Sequence, residues 1–116
     1  MFGAGGGTSS YREVEDADVV ILWGSNARET HPIFFHHVLA AARRGARLYV
    51  VDPRRTATAR FADAWLPVHV GADITLAHAV GHAILEAGLH NQDFIARATS
   101  GFPAYAALLR DFPPER

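Results

Sequence analysis

The chain contains no cysteine and no lysine. The first absence excludes disulfides, thiolate metal sites, iron–sulfur ligation and a cysteine nucleophile within these 116 residues, and it leaves the redox compartment open. The second means that all eleven basic residues are arginine. Genomic base composition accounts for that bias. Its chemical consequence is that any phosphate contact must use a planar guanidinium fork and not an ammonium point charge. An excess of charge is also lacking: the formal net charge is -1, so a basic nucleic-acid surface is not indicated. No run of 18 apolar residues occurs, so no transmembrane span is expected. No charged region followed by an apolar stretch stands at Met1; no secretory signal is visible, and the cytoplasm is the favoured compartment.

What is present is an ordinary globular composition, 49% apolar, in a chain long enough for one small domain with a core. Residues 2–10 (FGAGGGTSS) are glycine-rich and aperiodic, and read as a loop. A domain rarely begins in such a loop, which points to truncation. Residues 11–16 suggest one helical turn. Residues 17–23 (ADVVILW) form a short β-branched run of the kind found in a strand buried on both faces, ending at Gly24-Ser25-Asn26. Thr30 or His31 can cap a helix with Pro32 in its first turn. That helix should run to about Arg44, bury Phe35, Val38, Leu39 and Ala42, and stop at Gly45. Residues 47–51 (RLYVV) read as a second buried strand, 56–62 as a short helix, and 65–70 as a third strand weakened by Pro67. A helix over residues 73–87 should bury Leu76, Ala77, Val80, Ile84 and Ala87. Two short helices, 91–98 and 103–110, follow. The alternation of strand and helix predicts an α/β fold, a Rossmann-like parallel sheet of βαβ units with flanking helices.

In an open parallel sheet, ligands bind beyond the carboxyl ends of the strands. Three loops fall there: 24–31, 52–56 and 71–73. In the first, Gly24 permits close backbone approach, Ser25 and Asn26 add polar side chains, and a helix start adds partial positive charge, which suits a phosphate. An ordinary tight turn explains the same residues. Asp52 ends the second strand, where dinucleotide folds hold ribose hydroxyls, or it is simply the turn residue before Pro53. Arg54 and Arg55 can meet phosphate or solvent. Asp73 can cap its own helix, or accept the two N–H donors of a guanine edge. Gly3, Gly5 and Thr8 approach a G-x-G-x-x-G pattern but lack a preceding strand. Among seven histidines, His78 and His82 stand four apart, opposite the expected buried stripe, and read as a solvent face and not as a metal pair. His36 and His37 are adjacent and point apart. His31 stands at a helix start beside the first loop.

With these loops laid out, the sequence resembles the molybdopterin-guanine-dinucleotide oxidoreductases, and within them the formate dehydrogenase catalytic subunits. The match is carried by GAGGGTSSY (3–11), ADVVILWGSNARETHP (17–32), GARLYVVDPRRTATAR (45–60), ADAWLPVHVGAD (62–73) and residues 101–116. The G-S-N-x-x-E-x-H-P and V-D-P-R-x-T-x-T-A blocks at this spacing are its specific part. The resemblance implies cofactor contacts at Asn26, Glu29, Asp52, Arg54, Gly71 and Asp73, with Gly24, Ser25, His31 and Thr56 beside them. The family usually has proline where this chain has Ala27, which loosens the loop. It further implies a molybdenum bis(molybdopterin guanine dinucleotide) cofactor, an iron–sulfur cluster in the intact subunit but not in this chain, and an electron-transfer subunit as partner. No catalytic or metal-ligating residue is assigned within the chain. Residues 1–116 are expected to be one partial dinucleotide-binding domain, truncated at both ends, that needs the remaining segments of the same subunit and is inactive alone. A nitrate reductase type of enzyme, a stand-alone nucleotide-binding module and a remnant with only a structural role are the alternatives.

Overall fold

The structure is a computed structural model that describes residues 9–114. The glycine loop, with Gly3, Gly5 and Thr8, lies outside the described residues except for its last two serines. The described residues divide into two compact units, 9–68 and 69–114.

The first unit is an α/β layer. A 3-10 turn, Tyr11–Asp16, leads into β1 (Val19–Trp23). A one-turn helix α1 (Ala27–Thr30) and the longer α2 (Pro32–Arg43) then cross to β2 (Arg47–Val51), and a 3-10 turn (Ala59–Phe61) precedes β3 (Ala64–Leu66). The sheet has the order β1-β2-β3. Both pairings are parallel, with Val19 opposite Arg47 through Trp23 opposite Val51, and Tyr49 opposite Ala64 through Val51 opposite Leu66. Parallel strands need a crossover, and α2 supplies it.

The core shows why these segments adopt these elements. Val20 and Leu22 point to the same face as Leu48 and Val50, where Phe35 and Val38 of α2 meet them. The other face is different. Val19 and Ile21 remain 53% and 56% exposed, so β1 alternates and is not buried on both faces. Its run of β-branched residues states strand propensity; α2 covers only the side carrying Val20 and Leu22. On α2 the fully buried positions are Phe35, Val38 and Ala41, while Leu39 and Ala42 are half-buried.

Other expectations shift by local geometry. The segment expected as a helix over 56–62 is only a 3-10 turn at Ala59–Phe61. The third strand is Ala64–Leu66, because Pro67 has no N–H to extend the ladder. Asp63 receives Leu48 N–H at 2.8 Å and the Arg47 guanidinium at 3.0 Å, tying the start of β3 to β2. These two contacts, the Leu48 backbone bond first, hold the Asp63 carboxyl below its usual value.

The second unit is helical: α3 (Asp73–Glu86), α4 (Gln92–Ala98) and α5 (Phe102–Leu109). The face that α3 turns toward α5 is not the expected one. Val80 and Ile84 are 46% and 41% exposed, and Ala77 and Ala87 are also exposed. Instead Gly81 lies against α5: a Cβ there would stand 3.2 Å from Leu109 Cδ1 and 3.3 Å from the Tyr105 hydroxyl. A residue without a side chain at position 81 brings α5 onto the histidine side of α3. The solvent-face reading of His78 and His82 is therefore wrong. The His82 Nδ1–H donates to the Leu109 carbonyl at 2.7 Å, at the C-terminus of α5, and the His78 ring meets Tyr105 and Phe112 edge-on.

Candidate functional site

The carboxyl ends of β1 and β2 open onto a cleft of about 280 Å³ lined by Asn26, Glu29, Arg54, Arg55, Thr56 and Ala57. Two of the three sequence-predicted loops thus converge. Gly24 carries the chain off β1 with φ +59°, a left-handed conformation that favours glycine, and its N–H extends the ladder to the Val51 carbonyl at 2.8 Å. Its missing side chain would meet nothing within 4 Å, so the turn itself requires glycine.

Asn26 is the centre of the first loop. Its main-chain carbonyl accepts from Glu29 N–H and Thr30 N–H at 3.0 and 3.1 Å, and from the Thr30 hydroxyl at 3.2 Å. Its side chain makes no helix cap. Instead its Nδ2–H donates to Glu29 Oε2 at 2.7 Å, and its Oδ1 accepts from the Thr58 hydroxyl at 2.8 Å. Two features bear on the phosphate reading of this loop. The helix that follows Asn26 is one turn long, so the long helix dipole begins only after His31. And the Asn26 amide gives one N–H to Glu29 and its oxygen to Thr58, which leaves one N–H for a ligand. Ala27 does not loosen the loop either: it is the first residue of α1 and is 1% exposed, within the core cluster.

Asp52 is 6% exposed and does not line the cleft. Its Oδ1 accepts from Arg54 N–H at 2.8 Å, which closes the turn over Pro53 as Asp side chains do. The Trp65 indole N–H donates to its main-chain carbonyl at 2.8 Å. Asp52 therefore sets the path of the arginine segment. Thr56 is buried and receives Ala59 N–H at 3.3 Å. The Arg55 guanidinium lies 5.9 Å from the Trp65 ring centre, and that of Arg28 lies 5.1 Å from Phe61, geometries that orient a cation against an aromatic face. Ser25 is half-buried next to Asn26. His31 is exposed, caps α2 by position, and shares a 2.9 Å hydrogen bond with the Thr30 hydroxyl; neither lines the cleft.

Gly71 and Asp73 belong to the second unit. Gly71 stands in the turn before α3, and Asp73 is its first residue, with Ala72 at the cap position. The cap role expected for Asp73 thus falls one residue earlier. Thr58 escaped sequence reasoning, although it is the second threonine of the T-x-T pair. It is fully buried. Among the described residues, no group of three histidine, aspartate or glutamate side chains could hold a metal ion.

As a whole the cleft is bipolar. Glu29 offers carboxylate acceptors at one side, suited to hydroxyl or N–H donors, while Arg54 and Arg55 offer guanidinium donors suited to phosphate. This combination fits a sugar–phosphate group better than phosphate alone.

Comparison with known proteins shows what the chain is similar to. A family model described as molybdopterin oxidoreductase matches residues 3–106. Formate dehydrogenase H of Escherichia coli (strain K12) is 37% identical over 113 residues, covering 97% of this chain and 16% of that protein. The F420-dependent formate dehydrogenase subunit alpha of Methanocaldococcus jannaschii is 34% identical, covering 98% of this chain and 17% of the relative. A nitrate reductase of Synechocystis sp. is 36% identical over 99% of this chain and 16% of its own length. The chain thus spans about one sixth of the curated relatives it matches. In structure it is similar to acetylene hydratase from Pelobacter acetylenicus, with TM-score 0.74 and 24% identity over 89% of this chain and 16% of that one; that likeness concerns the fold.

Proposed function

This chain belongs to the molybdopterin oxidoreductase family, and from that premise we propose that its first unit holds the guanine dinucleotide portion of a molybdopterin cofactor. The observation that carries the reading is the convergence of Asn26, Glu29, Arg54 and Arg55 on one cleft at the carboxyl ends of β1 and β2. Glu29 takes sugar hydroxyls, Arg54 and Arg55 take phosphate, and Asp52 fixes the arginine segment through Arg54 N–H. For the second unit, taken by itself, the Asp73 carboxylate, with Gly71 in the turn before it, is read as accepting both N–H donors of a guanine edge, a pair that adenine lacks.

The whole enzyme is read as a formate dehydrogenase type of oxidoreductase, and this chain as its cofactor-positioning part. When bound, the molybdenum centre supplies the two-electron chemistry by which formate gives carbon dioxide, one proton and two electrons. An iron–sulfur cluster in other segments of the subunit, and a partner subunit beyond it, would take up the electrons. A nitrate reductase is the second reading, supported by the similar identity to the Synechocystis protein; no residue in the cleft separates the two substrates.

The test is calorimetric titration of the purified chain with GDP and ADP as probes. Saturable GDP binding that Arg54→Ala weakens is expected, with ADP weaker than GDP. Asp73→Ala should lose that preference by about 1–3 kcal/mol, and Asp73→Asn, which keeps one acceptor, by less. Equal binding of both nucleotides would remove the guanine assignment, and no binding of either would remove the cleft reading. The chain alone should show no formate oxidation with an added molybdenum cofactor source and an artificial acceptor. It has no cysteine and no described trio of ligands.

A further inference from the structure

The Asn26–Glu29 pair does not hold its own geometry. Both side chains sit at the edge of the cleft, Asn26 at the cap position and Glu29 within a helix of one turn, a poor support by itself. What reaches them from the interior is Thr58, which is 0% exposed. Its hydroxyl donates to Asn26 Oδ1 at 2.8 Å and accepts Arg28 N–H at 3.0 Å. A hydroxyl has one proton to give and lone pairs to receive, so both capacities are used in a defined sense. The hydroxyl proton goes to Asn26, whose amide presents its oxygen inward. The amide nitrogen then faces outward and donates to Glu29 Oε2 at 2.7 Å. The Glu29 carboxylate, an acceptor only, likewise requires the amide nitrogen outward, so the buried hydroxyl anchors the inner end of an amide whose outer end holds Glu29.

We infer that Thr58 is a positioning residue for ligand recognition: it locks Asn26 so that Glu29 presents its free carboxylate oxygen to donor groups of the bound sugar. This rests on the sugar–phosphate reading of the cleft. The inference assigns the discrimination to one side of the ligand. Glu29 is aimed by Thr58, whereas the guanidinium side depends on the Asp52 turn. Removing the hydroxyl should therefore weaken ligands with sugar hydroxyls and spare a ligand that is phosphate alone.

The experiment compares Thr58→Val, which keeps the shape and removes the hydroxyl, with Thr58→Ser, which keeps the hydroxyl. GDP and inorganic pyrophosphate are titrated into each full chain. Thr58→Val should weaken GDP roughly three- to tenfold, the range for one lost hydrogen-bonded contact, with pyrophosphate unchanged. Thr58→Ser should match the wild type for both. Unchanged GDP binding in Thr58→Val overturns the inference, and so does an equal loss of GDP and pyrophosphate, which marks general collapse of the cleft. The Asn26 side-chain amide signals in a nitrogen–proton NMR spectrum give a readout that needs no ligand. They should be well separated and slowly exchanging in the wild type and in Thr58→Ser, and collapse to solvent-like values in Thr58→Val. If the wild type binds no GDP, the cleft reading falls while the amide signals still decide the role of Thr58. If Thr58→Val does not fold, the wild type decides. A sheltered Thr58 hydroxyl proton with a cross-relaxation peak to Asn26 supports the lock, and a freely exchanging one overturns it.

Discussion

Among the described residues, every buried side chain except that of Leu109 lies before His69. The first unit joins a parallel sheet to α2 and encloses Leu48, Val50, Phe35 and Val38. The second assembles three helices around Leu109 alone; its Val80, Ile84, Leu89 and Phe94 are more than two fifths exposed, as are Val19 and Ile21 on the open face of the sheet. Both segments are rich in apolar residues, so composition does not make the difference. A sheet forces alternate residues onto one face, and a single helix crossing it covers several strands at once. A short three-helix arrangement has no such shared face. The polar geometry follows the same division: the Thr58–Asn26–Glu29 chain has a buried anchor, whereas His78 Nδ1 and His90 Nδ1 in the second unit are buried with no hydrogen-bond partner, an arrangement that ordinarily costs stability.

The largest expected effect tests that division directly. Leu48→Ala should cost about 2–5 kcal/mol, since Leu48 is 1% exposed between two strands and α2. Ile84→Ala should stay within about 0.5 kcal/mol. Denaturant unfolding of both variants measures this. A comparable loss from Ile84→Ala would break the comparison, because it would mean that the outer face of α3 is covered in solution.

A smaller effect should come from Gly81→Val. The added branch must enter space held by Leu109 and Tyr105, and overpacking of this kind costs about 1–3 kcal/mol. Amide hydrogen exchange should show faster exchange in α3 and α5 and unchanged protection in β1 and β2. Loss of protection in the sheet would mean that the two units are energetically one. Smaller again is His82→Leu, which removes the donor to the Leu109 carbonyl and should lower stability by about 1 kcal/mol, read from the same exchange profile over α5.

These contrasts also explain what the sequence made legible. The strands at 19–23 and 47–51, the crossover helix and the two convergent loops could be read because short β-branched runs, Pro32 and Gly45 carry local meaning that tertiary context did not override. The orientation of α3 could not. Helical periodicity offered the stripe of Leu76, Val80 and Ile84 as the inward face; the rule that large apolar side chains go inside lost to the close approach permitted by Gly81. That Asn26 and Arg54 line one cleft was legible from their place after strand ends. Thr58 was missed because its role depends on a hydrogen bond across 32 positions, and a threonine in a turn gives no signal of burial. Asp52 was correctly placed, but its visible work is to close a turn. The role of Asp73 in guanine recognition is the proposal that the GDP titration decides.

The smallest effect is an acid dependence confined to the first unit. Asp63 accepts Leu48 N–H and the Arg47 guanidinium in the folded state, and these contacts place its folded pKa below the ordinary value of 3.8. A carboxyl whose folded pKa is depressed contributes stability that is fully present above the unfolded value. That contribution declines as pH falls through 3.8 and is lost once the pH passes below the folded value. The side chain is 39% exposed, and exposed pairs are worth little, so this ranks last. Asp63→Asn keeps shape and one neutral acceptor but cannot carry the charge. The unfolding midpoints of wild type and Asp63→Asn should therefore differ at neutral pH and converge below pH 3.8, with the exchange rates of β2 and β3 following and those of α3 unaffected. A difference that stays constant from neutral to acid pH would show that the carboxylate charge does not hold β3 against β2. The strand would then be held by its ladder to β2, by the Asp63 N–H bond to the Leu48 carbonyl and by the Trp65 bond to Asp52.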